Sequence, residues 1–171
     1  EEETTNRMAN HPGLLENVAL VLHSPLASID VKLYCAATLR RMAEIIVSPM
    51  PAQSIIMIAL IKSATWTHTA DIAEGFQAHS EHVGNRKSMV EHVGLLHTLA
   101  QLAQTDTPGA EGDKIRIAAI HCIENLAMHD RLQPVLASNE DILLALTKAS
   151  YAEPGEGNPV QVALRNLLAA V

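Results

Sequence analysis

The sequence predicts an all-α protein in which about four helical repeats stack on one another as a solenoid. Apolar residues make up 48% of the chain but aromatic residues only 2%. The core must therefore be built from Leu, Ile, Val, Ala and Met, a composition that favours helices. Proline and glycine breaks leave intervals of helical length, and none of these is typical of a strand. Apolar motifs also recur at a spacing of roughly 41 residues, within the range of helical solenoids.

Two apolar stripes with the same spacing predict two equivalent helices. Between Asp113 and His129, five side chains fall on one helical face, which we expect to be buried. They are Ile115, Ala119, Cys122, Ile123 and Leu126. The same spacing occurs 84 residues earlier, in Val31, Cys35, Thr38, Leu39 and Met42. A repeated stripe of this kind indicates two copies of one structural unit.

Two further matches define the length of the repeat. Segments 8–15 and 89–96 agree at Met, His, Gly, Leu and Leu with an offset of 81 residues. Offsets of 81 and 84 are each about two periods of roughly 41 residues. Four copies of a shorter motif then align, at 39–42, 76–79, 123–126 and 164–167. The chain therefore divides into repeats at 1–45, 46–82, 83–129 and 130–171, of which the second is degenerate.

These repeats resemble those of the armadillo repeat family, and the resemblance implies two or three helices in each. The first lacks most of its opening helix, the rest of which is expected from near Thr5, and segment 47–51, with two prolines, leaves no room for one in the second. The other helices expected in these repeats span 13–23, 28–45, 52–62 and 67–82. Those of the third and fourth repeats span 85–92, 95–104, 114–129, 130–138, 139–150 and 158–170. Gly94 is expected to form a sharp turn and Asn158 an N-cap, while 105–112 and 152–157 are expected to be exposed loops.

This organisation resembles the armadillo repeat family, whose unit has a short first helix, a second helix after a Gly turn, and a longer third helix ending in an Ala-Leu-x-Asn-Leu-like motif. The third repeat carries the likeness most clearly, with Gly94 at the turn and 123–126 at the motif. The two-helix HEAT repeats are the nearest alternative. The resemblance implies a right-handed α-α superhelix in which residues 1–171 form one domain, and a concave groove lined by the third helices.

Five polar residues are candidates for binding in that groove. In the family, a ladder of Asn side chains bonds the backbone of an extended peptide. Asn125 and Asn166 match this position, where the first repeat has Arg41; one turn earlier stand Glu74 and His121. The candidate binding residues are therefore Arg41, Glu74, His121, Asn125 and Asn166. The two Asn side chains could equally satisfy neighbouring backbone groups, so both roles stay open here.

Composition excludes several classes of partner. Twelve basic and 19 acidic residues give a net charge of −7, which disfavours nucleic acid and anionic lipid. The longest apolar run, 55–61, is far shorter than the ~20 residues of a membrane-spanning helix. Cys35 and Cys122 lie inside apolar helical patterns and are expected to be small buried hydrophobes. A reducing cytoplasmic or nuclear setting fits this cysteine usage.

No catalytic signature accompanies the repeats. The sequence has no Gly-x-Ser-x-Gly motif, and its two Gly-rich segments, 109–112 and 155–157, contain acidic residues that would repel phosphate. We therefore expect neither an enzyme nor a cofactor or metal. The leading hypothesis is a non-enzymatic scaffold that binds an extended segment of a partner protein along the groove.

Other interpretations remain open at this stage. His79 and His82, three residues apart, could form part of a metal site or hydrolase, although the spacing is a weak signal. The chain could instead be a structural spacer: it opens without Met and ends abruptly, which allows a fragment of a longer protein. The apolar last helix, with Leu164 and Leu168, could associate end to end with another copy. The basic pairs 40–41 and 86–87 are expected to be solvated helix ends.

Overall fold

All regular structure in the described part of the chain is helical, so the all-α prediction is confirmed. A computed structural model describes residues 7–8, 11, 13–45, 51–65, 67–152 and 158–169. Within these residues ten helices follow one another. They are α1 (Leu14–His23), α2 (Ile29–Ile45), α3 (Pro51–Ala64), α4 (Ala70–Glu81), α5 (Val83–Glu91), α6 (Leu95–Ala103), α7 (Gly109–Ala127), α8 (Gln133–Ala137), α9 (Glu140–Ala152) and α10 (Pro159–Leu168).

The helices pack in two rows that follow the order of the chain. Helices α2, α4, α7 and α10, here called the third-helix row, lie side by side, each against the next. Helices α1, α3, α6 and α9 form the second-helix row in the same way. The two short helices pack at the sides, α5 on α4 and α6, and α8 on α7, α9 and α10. Contacts are thus between neighbours in sequence order, as in stacked repeats.

Two equivalent glycines begin equivalent helices. Gly13 precedes α1 with φ 76°, and Gly94 precedes α6 with φ 89°. Both lie in the left-handed region, where another residue would cost roughly 1–2 kcal/mol. The match with an 81-residue offset therefore corresponds to a real structural equivalence, and the turn predicted at Gly94 is confirmed. Asn158 is confirmed as an N-cap, since its Oδ1 accepts a hydrogen bond from the Val160 backbone N–H at 2.9 Å.

The predicted stripe on α7 forms the centre of the core. Ile115, Ala119, Cys122, Ile123 and Leu126 are all buried. The prediction is only half right for the copy on α2. Leu39 and Met42 are buried, but Val31 is exposed, and Cys35 and Thr38 are half-buried. The reason is that α2 is the first helix of its row among the described residues, so no neighbour covers that flank.

The prediction of a loop at 105–112 is wrong for the second half of that segment. Helix α7 begins at Gly109, five residues before the predicted start. The first turn of this extended helix carries Glu111, whose carboxylate accepts a hydrogen bond from the Ala70 backbone N–H at 2.9 Å. Glu111 thereby satisfies a free donor at the start of α4 in the preceding repeat. The acidic, glycine-rich segment is a helix terminus that joins two repeats.

Two smaller corrections concern the short helices. Helix α5 begins at Val83, before the predicted start, and α8 spans only Gln133–Ala137. The helix expected from near Thr5, the break at 47–50 and the loop at 153–157 lie outside the described residues. At the other end, Leu168 is 73% exposed and Leu164 half-buried on α10. Association through this end stays a prediction.

Gly112 supplies a test of how α7 begins. A Cβ at Gly112 would lie 1.7 Å from the Thr107 carbonyl oxygen, whereas a Cβ at Gly84, in α5, would meet nothing within 4 Å. We expect Gly112→Ala to lower the free energy of unfolding by about 1–3 kcal/mol, because backbone must move. Gly84→Ala should instead raise it by roughly 0.5–1 kcal/mol through helix propensity. Urea denaturation of both variants measures these changes, and equal stability of the two would contradict this account.

Candidate functional site

The five candidate residues lie on the four helices of the third-helix row. Helix α4 lies between α2 and α7, and α7 lies between α4 and α10. Arg41 on α2 is exposed. Glu74 on α4 and His121 on α7, which are equivalent when the motifs 76–79 and 123–126 are aligned, are both half-buried. Asn125 and Asn166 are also half-buried. These side chains differ in what they contact.

Glu74 is held by the residue next to the predicted one. The Arg40 guanidinium lies 2.9 Å from Glu74 Oε2 and 3.0 Å from Asp71 Oδ1, so it joins α2 to α4. Arg40 also pairs with Glu44 at 3.1 Å within α2. Within the described segments Arg41 pairs with Glu44 alone, at 3.3 Å, and its side chain is 71% exposed. Sequence reasoning favoured Arg41, but Arg40 makes the contacts between repeats.

Asn125 and Asn166 occupy equivalent positions but have different surroundings. Asn125 Nδ2 donates to Ser80 Oγ at 3.0 Å, and this hydroxyl donates in turn to the Gln77 carbonyl at 2.7 Å. The bond links α7 to α4. Among the described residues the Asn166 side chain has no hydrogen-bond partner, because Ala127 stands on α7 where α4 has Ser80, and alanine offers no hydroxyl. The hydrogen bond of Asn125 therefore supports a structural role for this asparagine.

His121 lies in a line of side chains along α7. Its Nδ1 is 3.1 Å from Glu124 Oε2, three residues further on. Ile117 and Met128 are exposed on the same face, at steps of three to four residues. On α4, Glu81 is exposed, and Gln77 Nε2 donates to its Oε1 at 3.4 Å. Sequence reasoning missed Glu81, Ile117 and Met128, although their spacing from Glu74 and His121 could have revealed them.

The histidines proposed as metal ligands do not form such a site. His79 is 1% exposed, and neither of its ring nitrogens has a hydrogen-bond partner. Burial, together with nearby His82 and His92, lowers the pKa of His79 to about 4, so its ring is neutral at pH 7. Among the residues that the structure describes, no group of three or more His, Cys, Asp or Glu could hold a metal ion. The His79 and His82 hypothesis has no geometric support in this part of the chain.

Beside His79, two side chains of α5 satisfy the end of α4. Asn85 Nδ2 donates to the His79 carbonyl at 3.1 Å, and Arg86 Nε donates to the Ser80 carbonyl at 2.8 Å. Both side chains are buried. The expectation that Arg86 is a solvated helix end is therefore wrong, while Lys87 is exposed as expected. Arg86 is buried because the last carbonyls of α4 need donors.

Neither cysteine has the features of a reactive thiol. Cys122 is fully buried, its Sγ donates to the Phe76 carbonyl at 3.5 Å, and burial raises the pKa of its thiol to about 12. Burial also raises the pKa of Cys35, which is half-buried. A high pKa keeps a thiol protonated and weakly nucleophilic at pH 7. Both residues behave as apolar side chains.

Comparisons with known proteins leave the chain without an assigned family. No family model, curated protein or solved structure matches it. The armadillo resemblance thus stays a prediction based on the residues quoted above. Within the described segments, no helix has the length and apolar character needed to traverse a lipid bilayer.

The two motif asparagines provide a matched pair of variants. Asn125→Ala removes the bond to Ser80 and should lower the free energy of unfolding by roughly 1 kcal/mol. Asn166→Ala removes no hydrogen bond and should change it by less than about 0.5 kcal/mol, as is usual for such positions. Urea melts measure both. If Asn166→Ala proves the more costly change, the structural role assigned to Asn125 is wrong.

The buried imidazole of His79 predicts a loss of stability in acid. Between the unfolded pKa of about 6.5 and the folded pKa of about 4, the unfolded chain binds a proton that the folded chain does not. The free energy of unfolding therefore falls as the pH drops through this window, by about 3 kcal/mol in all. His79→Leu should remove that part of the loss, as measured by urea melts at pH 7 and pH 4. If the free energy of unfolding falls as much between pH 7 and pH 4 in His79→Leu as in the wild type, His79 is not the residue responsible.

Proposed function

We propose that this protein is a non-enzymatic scaffold that binds an extended segment of a partner protein along the third-helix row, inside the cell. The observation that carries the proposal is the uninterrupted contact of α2, α4, α7 and α10 in chain order, which makes one long surface from four helices. A right-handed armadillo superhelix would make this surface concave, and that shape is part of the proposal. The free, unreactive cysteines support an intracellular, non-catalytic role.

The side chains on this surface have the mixed character of a peptide-binding face. Ile117 and Met128 offer apolar contacts, whereas His121 and Arg41 offer donors. An extended peptide presents alternating side chains to such a surface, so pockets and polar groups in a row can recognise every second residue. Arg41, Glu74, His121, Asn125 and Asn166 remain the proposed binding residues. Arg41, His121 and Asn166 are the three that can reach a ligand without breaking a described contact between repeats.

The ion pairs on this surface indicate where a partner could place a cationic group. Glu44 and Glu74 are paired with arginines of α2, and Glu124 with His121. Glu81 contacts only the neutral Gln77 among the described residues. A lysine or arginine of the bound segment would complete the pairing at Glu81.

Display of random peptides tests this proposal directly. Peptides selected on the wild-type protein should bind at least tenfold more weakly to Glu81→Arg and to Arg41→Glu, a loss of about 1.4 kcal/mol or more. Lys62→Glu, a charge reversal at an exposed position of α3 in the other row, is the matched control and should change affinity less than twofold. Fluorescence polarisation gives the affinities. Peptides that bind all variants equally, or a selection that enriches none, would overturn the proposal and favour a structural spacer.

A further inference from the structure

A pocket opens beside the third-helix row, between the third and fourth repeats. Its volume is about 480 Å³, within the range of small-molecule sites. The N-terminal half of α7 forms one wall, with Ile117 and Ile120, and the start of α10 forms another, with Pro159 and Val160. The last turns of α9 and the segment after α6 close the other sides. Apolar side chains thus form two walls, and polar ones such as Asp106 complete the lining.

The pocket arises from a difference in helix length. Helix α7 has 19 residues and α10 only 10. When the shared motifs 123–126 and 164–167 are aligned, Pro159 at the start of α10 corresponds to Ala118, so residues 109–117 of α7 extend beyond it. The uncovered turns leave Ile117 48% exposed. An apolar side chain left open in a concave site is a feature of ligand pockets.

The wall opposite α10 is fixed by hydrogen bonds. Arg116 Nη1 donates to the Thr105 carbonyl at 2.9 Å and to the Thr107 carbonyl at 3.4 Å, and Arg116 also pairs with Asp113. Thr105 Oγ1 in turn lies 3.2 Å from His68 Nδ1. These contacts hold segment 105–107 in place before any ligand arrives. A preformed wall reduces the entropy lost on binding.

Among the described residues that line the pocket, Lys148 and Asp106 carry charges that form no ion pair. Lys148 Nζ donates to Gln104 Oε1 at 2.7 Å, and in the described structure it forms no ion pair. Arg116 and Asp113 neutralise each other. Asp106 also lines the pocket, but it borders a second cavity beside His68 as well. Lys148 and Ala149 of α9 both line the pocket, so the Lys148 ammonium is within reach of a ligand bound there.

We propose that this pocket binds an amphipathic carboxylate, with an apolar body against Ile117 and Ile120 and the carboxylate on Lys148. The neutral Gln104 amide orients the ammonium without neutralising it, so the carboxylate gains a charge-assisted hydrogen bond. This site does not depend on the peptide-binding proposal. Ile117 and His121 belong to both surfaces, but the pocket lies at one junction of the stack, whereas the peptide surface runs along all four helices.

Methyl NMR with three matched probes tests the site. Naphthylacetate, naphthylacetamide and naphthylethylamine share one apolar body and differ in charge. Naphthylacetate should shift the methyl signals of Ile117 and Ile120 but not that of Ile58, an exposed isoleucine on α3. It should bind at least tenfold more tightly than the amine and more tightly than the amide. A peptide ending in naphthylalanine, compared as free acid and amide, distinguishes a chain end from a free small acid.

Two charge reversals complete the experiment. Lys148→Glu should abolish the preference for the acid and bring the amine to equal or tighter binding, while Lys62→Glu should leave the order of the three probes unchanged. Ile117→Gln should weaken all three probes alike. The proposal fails if no probe shifts Ile117 and Ile120, if the wild type prefers the amine, which would assign the charge to Asp106, or if Lys62→Glu has the same effect as Lys148→Glu.

Discussion

The close packing of α4 between α2 and α7 is the constraint on which the rest of the structure depends. Gly75 makes this possible: a Cβ there would lie 3.1 Å from Leu60 of α3 and 3.6 Å from the Arg40 Cα of α2. Phe76 is fully buried on the same helix. Near the end of α4, His79 and Ser80 are buried, and Asn85 and Arg86 supply the donors for their carbonyls. The position of α5 follows from that requirement.

Polar contacts between repeats set the register of the stack more than they stabilise it. Arg40 with Glu74, Asn125 with Ser80, and Glu111 with the start of α4 each join one repeat to the next. Partly exposed ion pairs contribute about 0–1 kcal/mol each, far less than the burial of the apolar stripes. These contacts instead fix the position of one helix along its neighbour, because each pair of groups can meet in only one register. The repeat surface inherits its regular spacing from them.

Much of the architecture could be predicted from sequence, and the failures have a common cause. Periodicity predicted the existence of α7 and of the stripe from Ile115 to Leu126, because one helix face suffices to define it. The second repeat was predicted to be degenerate, yet it contains α4, the most enclosed helix of the third-helix row. On α4 the buried face includes Gly75, His79 and Ser80, so polar and small residues interrupt the apolar stripe by which such a helix is predicted from sequence. Arg86, Glu111 and the start of α7 were misjudged because their roles depend on partners in other helices.

Departures from the repeat, not the repeat itself, create the distinctive sites of this molecule. If all third helices had one length, each would cover its neighbour completely, and no space would remain between them. The short α10 leaves the first turns of α7 uncovered, and Ile117 with them. The change from Ser80 on α4 to Ala127 on α7 likewise leaves Asn166 without the bond that Asn125 makes. A regular stack thus provides a rigid frame, and local mismatches in helix length or in one side chain leave groups free to meet a ligand.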